Sequence, residues 1–165
     1  HTVLVSCSGL VTVTGGKWTT YRAMAEDVLE HCFDKALLPR RAAGASAHFR
    51  LLGGAGPMAQ RYSIADGPGL HSYGSEQDRV QALPGAGREL APGLTEAMVR
   101  FGARFEYART VEDVLARRSR LLFLDAGLAR SLARPVAEIL RQETGRDPQQ
   151  AAFEALADKY LRLPV

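Results

Sequence analysis

The chain has 165 residues, 46% of them hydrophobic, with 21 Lys and Arg against 18 Asp and Glu, for a net charge of +3. That length fits one domain, or a small domain with an appendage, and the apolar fraction can supply a packed core. The interspersed charge argues against nucleic-acid binding, which gathers cations on one face, and Cys7, Cys32 and scattered histidines argue against a disulfide framework or zinc site.

No apolar run approaches the roughly 18 residues that a membrane span requires, and no signal-peptide pattern is visible. The sequence opens at His1 inside an alternating, strand-like pattern, which leads us to expect a piece of a longer cytoplasmic protein. Thr2-Val3-Leu4-Val5 and Leu10-Val11-Thr12-Val13 read as strands, either a hairpin or successive strands of different sheets. Gly15-Gly16-Lys17-Trp18-Thr19-Thr20 follows, and Met24, Val28, Leu29 and Cys32 then recur at helical spacing.

This strand, glycine turn and helix have the parts of an anion- or cofactor-facing turn. Glycines let a backbone approach a ligand closely. The first N–H groups of a helix carry positive partial charge, and either threonine could cap it. It is not a phosphate-binding P-loop, because Val11 and Trp18 stand where that motif needs Gly and Ser/Thr. The plain alternative is an ordinary turn with Lys17 in solvent and Trp18 serving packing.

Residues 34–57 have loop composition, and helix candidates lie near Met58–Ile64 and Glu76–Leu83. Gly54-Ala55-Gly56-Pro57-Met58-Ala59 matches a dinucleotide fingerprint, but Pro57 removes an N–H where the loop must donate. We read it as a decoy. Beyond it, Leu94, Met98, Phe101 and Phe105 form one apolar stripe. Thr110 with Asp113 resembles a capping box. Asp125 can cap a helix carrying Leu128, Leu132, Val136, Ile139 and Leu140 that ends at Gly145, with Pro135 as a kink or fresh start. Asp147-Pro148 reads as cap then first residue, opening a stripe of Phe153, Leu156, Tyr160 and Leu163. One-sided helices on short turns make a bundle. Its core candidates are Phe101, Phe105, Leu115, Leu132, Ile139, Phe153 and Leu156.

Arg104, Arg109, Arg117, Arg118 and Arg120 are interleaved with Glu106, Glu112 and Asp113. They read as an anion site or, more simply, as paired surface charges. His31, His48 and His71 show no carboxylate or serine at a spacing that suggests catalysis.

Gly9 to Asp27 (GLVTVTGGKWTTYRAMAED) and Glu106 to Leu121 (EYARTVEDVLARRSRL), in that order, resemble the FAD-dependent glycerol-3-phosphate dehydrogenases. The resemblance covers nearly the whole chain and is loose over 35–60 and 84–92. It implies a mainly α fold: a strand–turn–helix remnant of the FAD-binding domain over 1–34, then an α-helical, bundle-like C-terminal domain over 35–165. It implies oxidation of sn-glycerol 3-phosphate to dihydroxyacetone phosphate, with electrons passing through FAD to membrane quinone, or to oxygen in a related branch. Gly15, Gly16, Lys17, Trp18, Thr19 and Thr20 would lie against the flavin, with Lys17 near flavin or substrate phosphate. The implied partners are the N-terminal FAD and substrate domain of the same polypeptide, the substrate and quinone. A peripheral contact with the inner membrane and a homo-oligomer are compatible with it, and no nucleic acid is implied. The N-terminal dinucleotide-binding region lies outside this sequence, so we expect the isolated chain to be inactive and to bind no FAD. The competing expectation is an autonomous helical module whose arginines grip a protein or membrane surface.

Overall fold

The computed structural model describes residues 1–41, 44–54 and 66–162. The helix expected near Met58–Ile64, Leu163 and most of the fingerprint match lie outside the described residues. The chain divides into two compact units, His1–Arg50 and Leu51–Val165.

In the first unit, β1 (Thr2–Val5) and β2 (Val11–Thr14) form an antiparallel hairpin, with Thr2 opposite Thr14 and Val5 opposite Val11. The Ser6 hydroxyl closes the connecting loop by accepting the Leu10 N–H at 3.1 Å. A 3-10 turn (Trp18–Thr20) leads into α1 (Tyr21–Asp34). Of the stripe expected on α1, only Cys32 is buried; Met24 and Val28 are half-buried and Leu29 is exposed. The segment beyond α1 is tied back by polar contacts. Arg40 bridges Glu30 and Asp34, and Ser46 donates to Glu26.

The second unit carries a continuous apolar core. A 3-10 segment (Leu70–Glu76) and α2 (Gln77–Gln81) precede a second hairpin, β3 (Glu89–Ala91) with β4 (Leu94–Thr95). Sequence reasoning missed that hairpin. Then come α3 (Glu96–Phe105), a π-helical stretch (Asp113–Arg118), α4 (Leu121–Leu124), α5 (Ala126–Ser131), α6 (Ala133–Thr144) and α7 (Gln150–Leu161). Phe101, Phe153, Leu115, Leu140, Val80 and Val136 are among the fully buried side chains. The architecture is mainly α with two small hairpins, as expected.

Several predicted boundaries hold for the predicted reason. The Thr110 N–H donates to Asp113 Oδ2 at 2.9 Å and the Asp113 N–H to Thr110 Oγ1 at 3.1 Å, a reciprocal cap. Asp125 Oδ1 accepts the Leu128 N–H at 2.9 Å. Pro135 marks a fresh start: the helix breaks at Leu132, and proline enters the first turn of α6, where a missing N–H costs nothing. Gly145 ends α6 with φ +65°.

Other expectations need correction. Leu94 belongs to β4 rather than to the helix, and Phe105 is 53% exposed because α3 ends there and turns it off the core. Leu156 is only partly buried, and Tyr160 is exposed. Asp147 does not cap α7. Its Oδ1 accepts the Gln149 N–H at 3.0 Å in a turn before the helix, and Gln149 itself takes a left-handed conformation at the N-cap.

Candidate functional site

The turn singled out in the sequence is bent by its two glycines, both left-handed, Gly15 at φ +75° and Gly16 at φ +97°. That backbone is strained for any side-chain-bearing residue. β2 can therefore end and reverse into a helix within three residues. Lys17 follows in extended conformation as the residue before the 3-10 turn. Residues from Gly15 to Thr20 are all exposed, with Trp18 at 90%.

Two expectations about this turn are corrected. The threonines do not cap α1 through their side chains; Thr20 Oγ1 instead donates back to the Lys17 carbonyl at 3.0 Å. Trp18 is not packed into a core among the described residues, and its ring stands tilted to that of Tyr21 at 6.2 Å between centroids.

The resulting surface has a definite chemistry. The N–H groups of Trp18 and Thr19 open a helical run, so no carbonyl within that run lies behind them to accept them. These N–H donors and the adjacent, exposed Lys17 supply positive potential suited to an anion or to a ligand that gains negative charge. Reduced flavin is such a ligand, so the residues fit the cofactor that the resemblance implies.

Sequence reasoning missed what lies beneath the turn. His1 Nε2 is 2.8 Å from Asp27 Oδ2, and Met24 on α1 packs under Gly16. The judgement on His31 is also corrected. Asp27 stands one helical turn before it, with the His31 Nδ1 at 2.9 Å from the Asp27 carbonyl and 3.5 Å from Oδ1. That i, i+4 pair was the available signal.

Each of the five arginines singled out in the sequence has a partner within the second unit. Arg104 makes two hydrogen bonds to Glu143, at 2.7 and 2.8 Å. Arg109 donates to the carbonyls of Ala103 and Ala108 and stacks over the Tyr107 ring. Arg117 pairs with Glu112 and Asp113, Arg118 with Glu106, and Arg120 donates to the Asp66 carbonyl. Partial burial pushes the Asp113 carboxyl up, but N–H donation from Arg109 and Thr110 outweighs it and holds the group below the usual range. Arg100 links α3 to α6 by bridging Glu96 and Glu143. Among the described residues there is no cluster of metal-ligating side chains, and no helix is long and apolar enough to cross a membrane.

Comparison with known proteins shows which family the chain belongs to. Residues 45–151 match the family of the C-terminal domain of alpha-glycerophosphate oxidase, and the chain belongs to that family. The mitochondrial glycerol-3-phosphate dehydrogenase of Arabidopsis thaliana is 37% identical over 172 residues, covering 87% of this chain and 27% of that protein. A probable mitochondrial glycerol-3-phosphate dehydrogenase of Dictyostelium discoideum is 34% identical, covering 76% of this chain and 22% of that protein. The human mitochondrial glycerol-3-phosphate dehydrogenase is 32% identical, covering 89% and 23%. The chain thus spans about a quarter of the length of these relatives. No solved structure matches it.

Proposed function

We propose that this chain is the C-terminal part of an FAD-dependent glycerol-3-phosphate dehydrogenase, with residues 1–34 closing the flavin-binding domain and 35–165 forming the helical domain appended to it. The reaction is oxidation of sn-glycerol 3-phosphate to dihydroxyacetone phosphate. FAD, when bound, takes up the two electrons removed from the substrate carbon and passes them to membrane quinone. The observation that carries this reading is the exposed, left-handed Gly15–Gly16 turn, followed directly by Lys17 and the first N–H groups of the helical run, all on exposed residues.

In this reading the chain's residues bind and orient. The N–H groups of Trp18 and Thr19 hold the pyrimidine edge of the flavin, where negative charge accumulates on reduction. Lys17 supplies a full positive charge beside it, or to the substrate phosphate. Trp18 and Tyr21 offer apolar ring surface that shields the site from water. The remaining binding groups come from the preceding part of the same polypeptide. Electron delivery to a quinone places the enzyme at the inner membrane, held peripherally with this region on the cytoplasmic side.

Lys17→Met in the full-length enzyme tests the reading. The expected loss in kcat/KM is at least about tenfold, or roughly 1.4 kcal/mol. Steady-state kinetics with sn-glycerol 3-phosphate and a soluble quinone measure it, and unchanged kinetics would return Lys17 to solvent.

A further inference from the structure

We infer that His1, Asp27 and Met24 form a seat under the Gly15–Gly16 turn that fixes its height against the flavin, so that all three act as positioning residues. The inference rests on the proposed function, because it concerns the same turn.

The glycines face inward onto this seat. A Cβ built on Gly16 would lie 2.5 Å from Met24 Sδ, 2.6 Å from Met24 Cε and 3.2 Å from His1 Cβ, and these are its three nearest atoms. One built on Gly15 would meet the His1 Cα at 3.7 Å. The turn therefore rests on the thioether end of Met24 and on the backbone and Cβ of His1.

Those supports are themselves tied. His1 opens the approach to β1, and its Nε2 stands 2.8 Å from Asp27 Oδ2 on α1. Met24 and Asp27 are three residues apart on that helix and so share a face. Asp27 also carries His31, whose Nδ1 donates to its carbonyl and whose ring lies 3.5 Å from its carboxylate. The start of the hairpin is thus pinned to the second turn of α1 directly below the glycines.

A seat is physically needed at this place. Two successive glycines are the most mobile backbone the chain can offer, and each loses more freedom on ordering than other residues do. The turn is exposed, so its own packing cannot hold it. Donor groups aid binding only if they stand at the right height before the ligand arrives, since ordering them afterwards subtracts from affinity. Met24 suits the role because its flexible side chain moulds to the flat underside of a glycine pair.

The test uses the full-length apoprotein titrated with FAD, read by quenching of flavin fluorescence. The melting temperature of each variant is measured alongside, and Arg134→Ala serves as a remote surface control. Met24→Ala and Asp27→Ala should each weaken FAD binding by about five- to tenfold, as expected for lost preorganisation rather than lost contacts. Asp27→Asn keeps an acceptor for His1 and should return affinity to within about twofold of wild type. Gly16→Ala carries its backbone strain in either background, but should weaken binding less in Met24→Ala than alone, because the Met24 part of its collision is gone; that non-additivity is the signature of direct coupling.

Wild-type affinity in Met24→Ala and Asp27→Ala, with a loss in Gly16→Ala or Lys17→Met, overturns the seat and leaves the proposed function standing. Wild-type affinity in all four, Lys17→Met included, overturns the reading of the turn and the seat with it. Losses that track falling melting temperature and are not rescued by Asp27→Asn make the three residues general stabilisers, which also overturns the proposal.

Discussion

The two units of the chain are stabilised by different means. In the first, Cys32 is the one buried side chain among the described residues, and Leu4, Leu10, Trp18 and Tyr21 stand open. Its cohesion comes from a two-stranded hairpin, the His1–Asp27 bond and exposed pairs such as Arg22–Glu26 and Arg40–Glu30. Each of those contributes little, and an isolated hairpin is marginal in water. In the second, whole faces of α3, α6 and α7 are removed from solvent around Phe101, Leu140 and Phe153. Hydrophobic burial, at about 25 cal/mol per Å², is the main stabilising force there. The contrast leads us to expect that the helical unit folds without the first, which has little core of its own among the described residues.

The largest effect that separates the units is removal of a core aromatic. Phe101 is buried and sits against Tyr73 and Phe105, at 5.3 and 5.0 Å between ring centroids. Phe101→Ala should cost about 3–5 kcal/mol in urea unfolding of the chain. Leu4→Ala, in the exposed hairpin, should cost under about 1 kcal/mol, since little of its surface is buried. Equal losses at the two positions would mean that the units share one cooperative core.

Next in size is the ion-pair network of α3 and α6. The Arg100 bond holds the Glu96 carboxyl below its ordinary value of 4.5 against a partial burial that raises it, and Arg88 adds to the lowering. The Arg104 bond does the same for Glu143, assisted by Arg100. Both groups bind protons less readily when folded, so their stabilisation is present above about pH 4.5 and is lost as pH falls through the lowered folded values. Glu143→Gln should cost about 1–3 kcal/mol at neutral pH, because it leaves two guanidinium groups short of a partner. It should also flatten the loss of melting temperature on acidification below pH 4.5. A variant whose acid profile matches wild type would show that Glu143 is not a source of it.

How far these features were readable in the sequence follows the range of the forces behind them. Thr110 with Asp113, Asp125 and Gly145 work within one helical turn, so their residue types alone announce the helix ends. The β3–β4 hairpin was also signalled, by Pro92-Gly93, with Gly93 at φ +77°. Strands of three and two residues are simply too short to show an alternating pattern. Phe105 sits at core spacing, yet no local signal says that α3 stops beneath it. The site divides the same way. Gly15-Gly16-Lys17 is visible as a run, whereas His1 and Asp27 meet only once the hairpin folds back on α1.

Amide exchange sharpens the comparison without mutation. Among the described residues each strand of the first hairpin pairs with the other alone, so one flank of backbone groups on each has no strand partner there. Amides of residues 2–14 should exchange at least about tenfold faster than those in the middle of α3 and α6, a gap of roughly 1.4 kcal/mol or more in opening free energy. Equal protection in a demonstrated monomer would mean that the first unit is stabilised by something other than its described contacts.

The smallest effect concerns the arginines, where the second unit most resembles the first. Arg117 is half exposed and bonds to Asp113 at 2.9 Å and Glu112 at 2.7 Å. The guanidinium and Glu112 are solvated and Asp113 is only partly buried, so Coulomb attraction is weak, salt screens it, and fixing a long side chain opposes it. The Asp113 carboxylate also keeps its backbone donors from Arg109 and Thr110 when the guanidinium is removed, so no buried charge is stranded. Arg117→Ala should therefore cost under about 1 kcal/mol, several times less than Phe101→Ala, and the difference should shrink further in high salt. If Arg117→Ala unfolds the chain as severely as Phe101→Ala, the arginine is part of a desolvated network. The helical unit would then be held together by charge as well as by its core, and the contrast between the two units would fail at its simplest point.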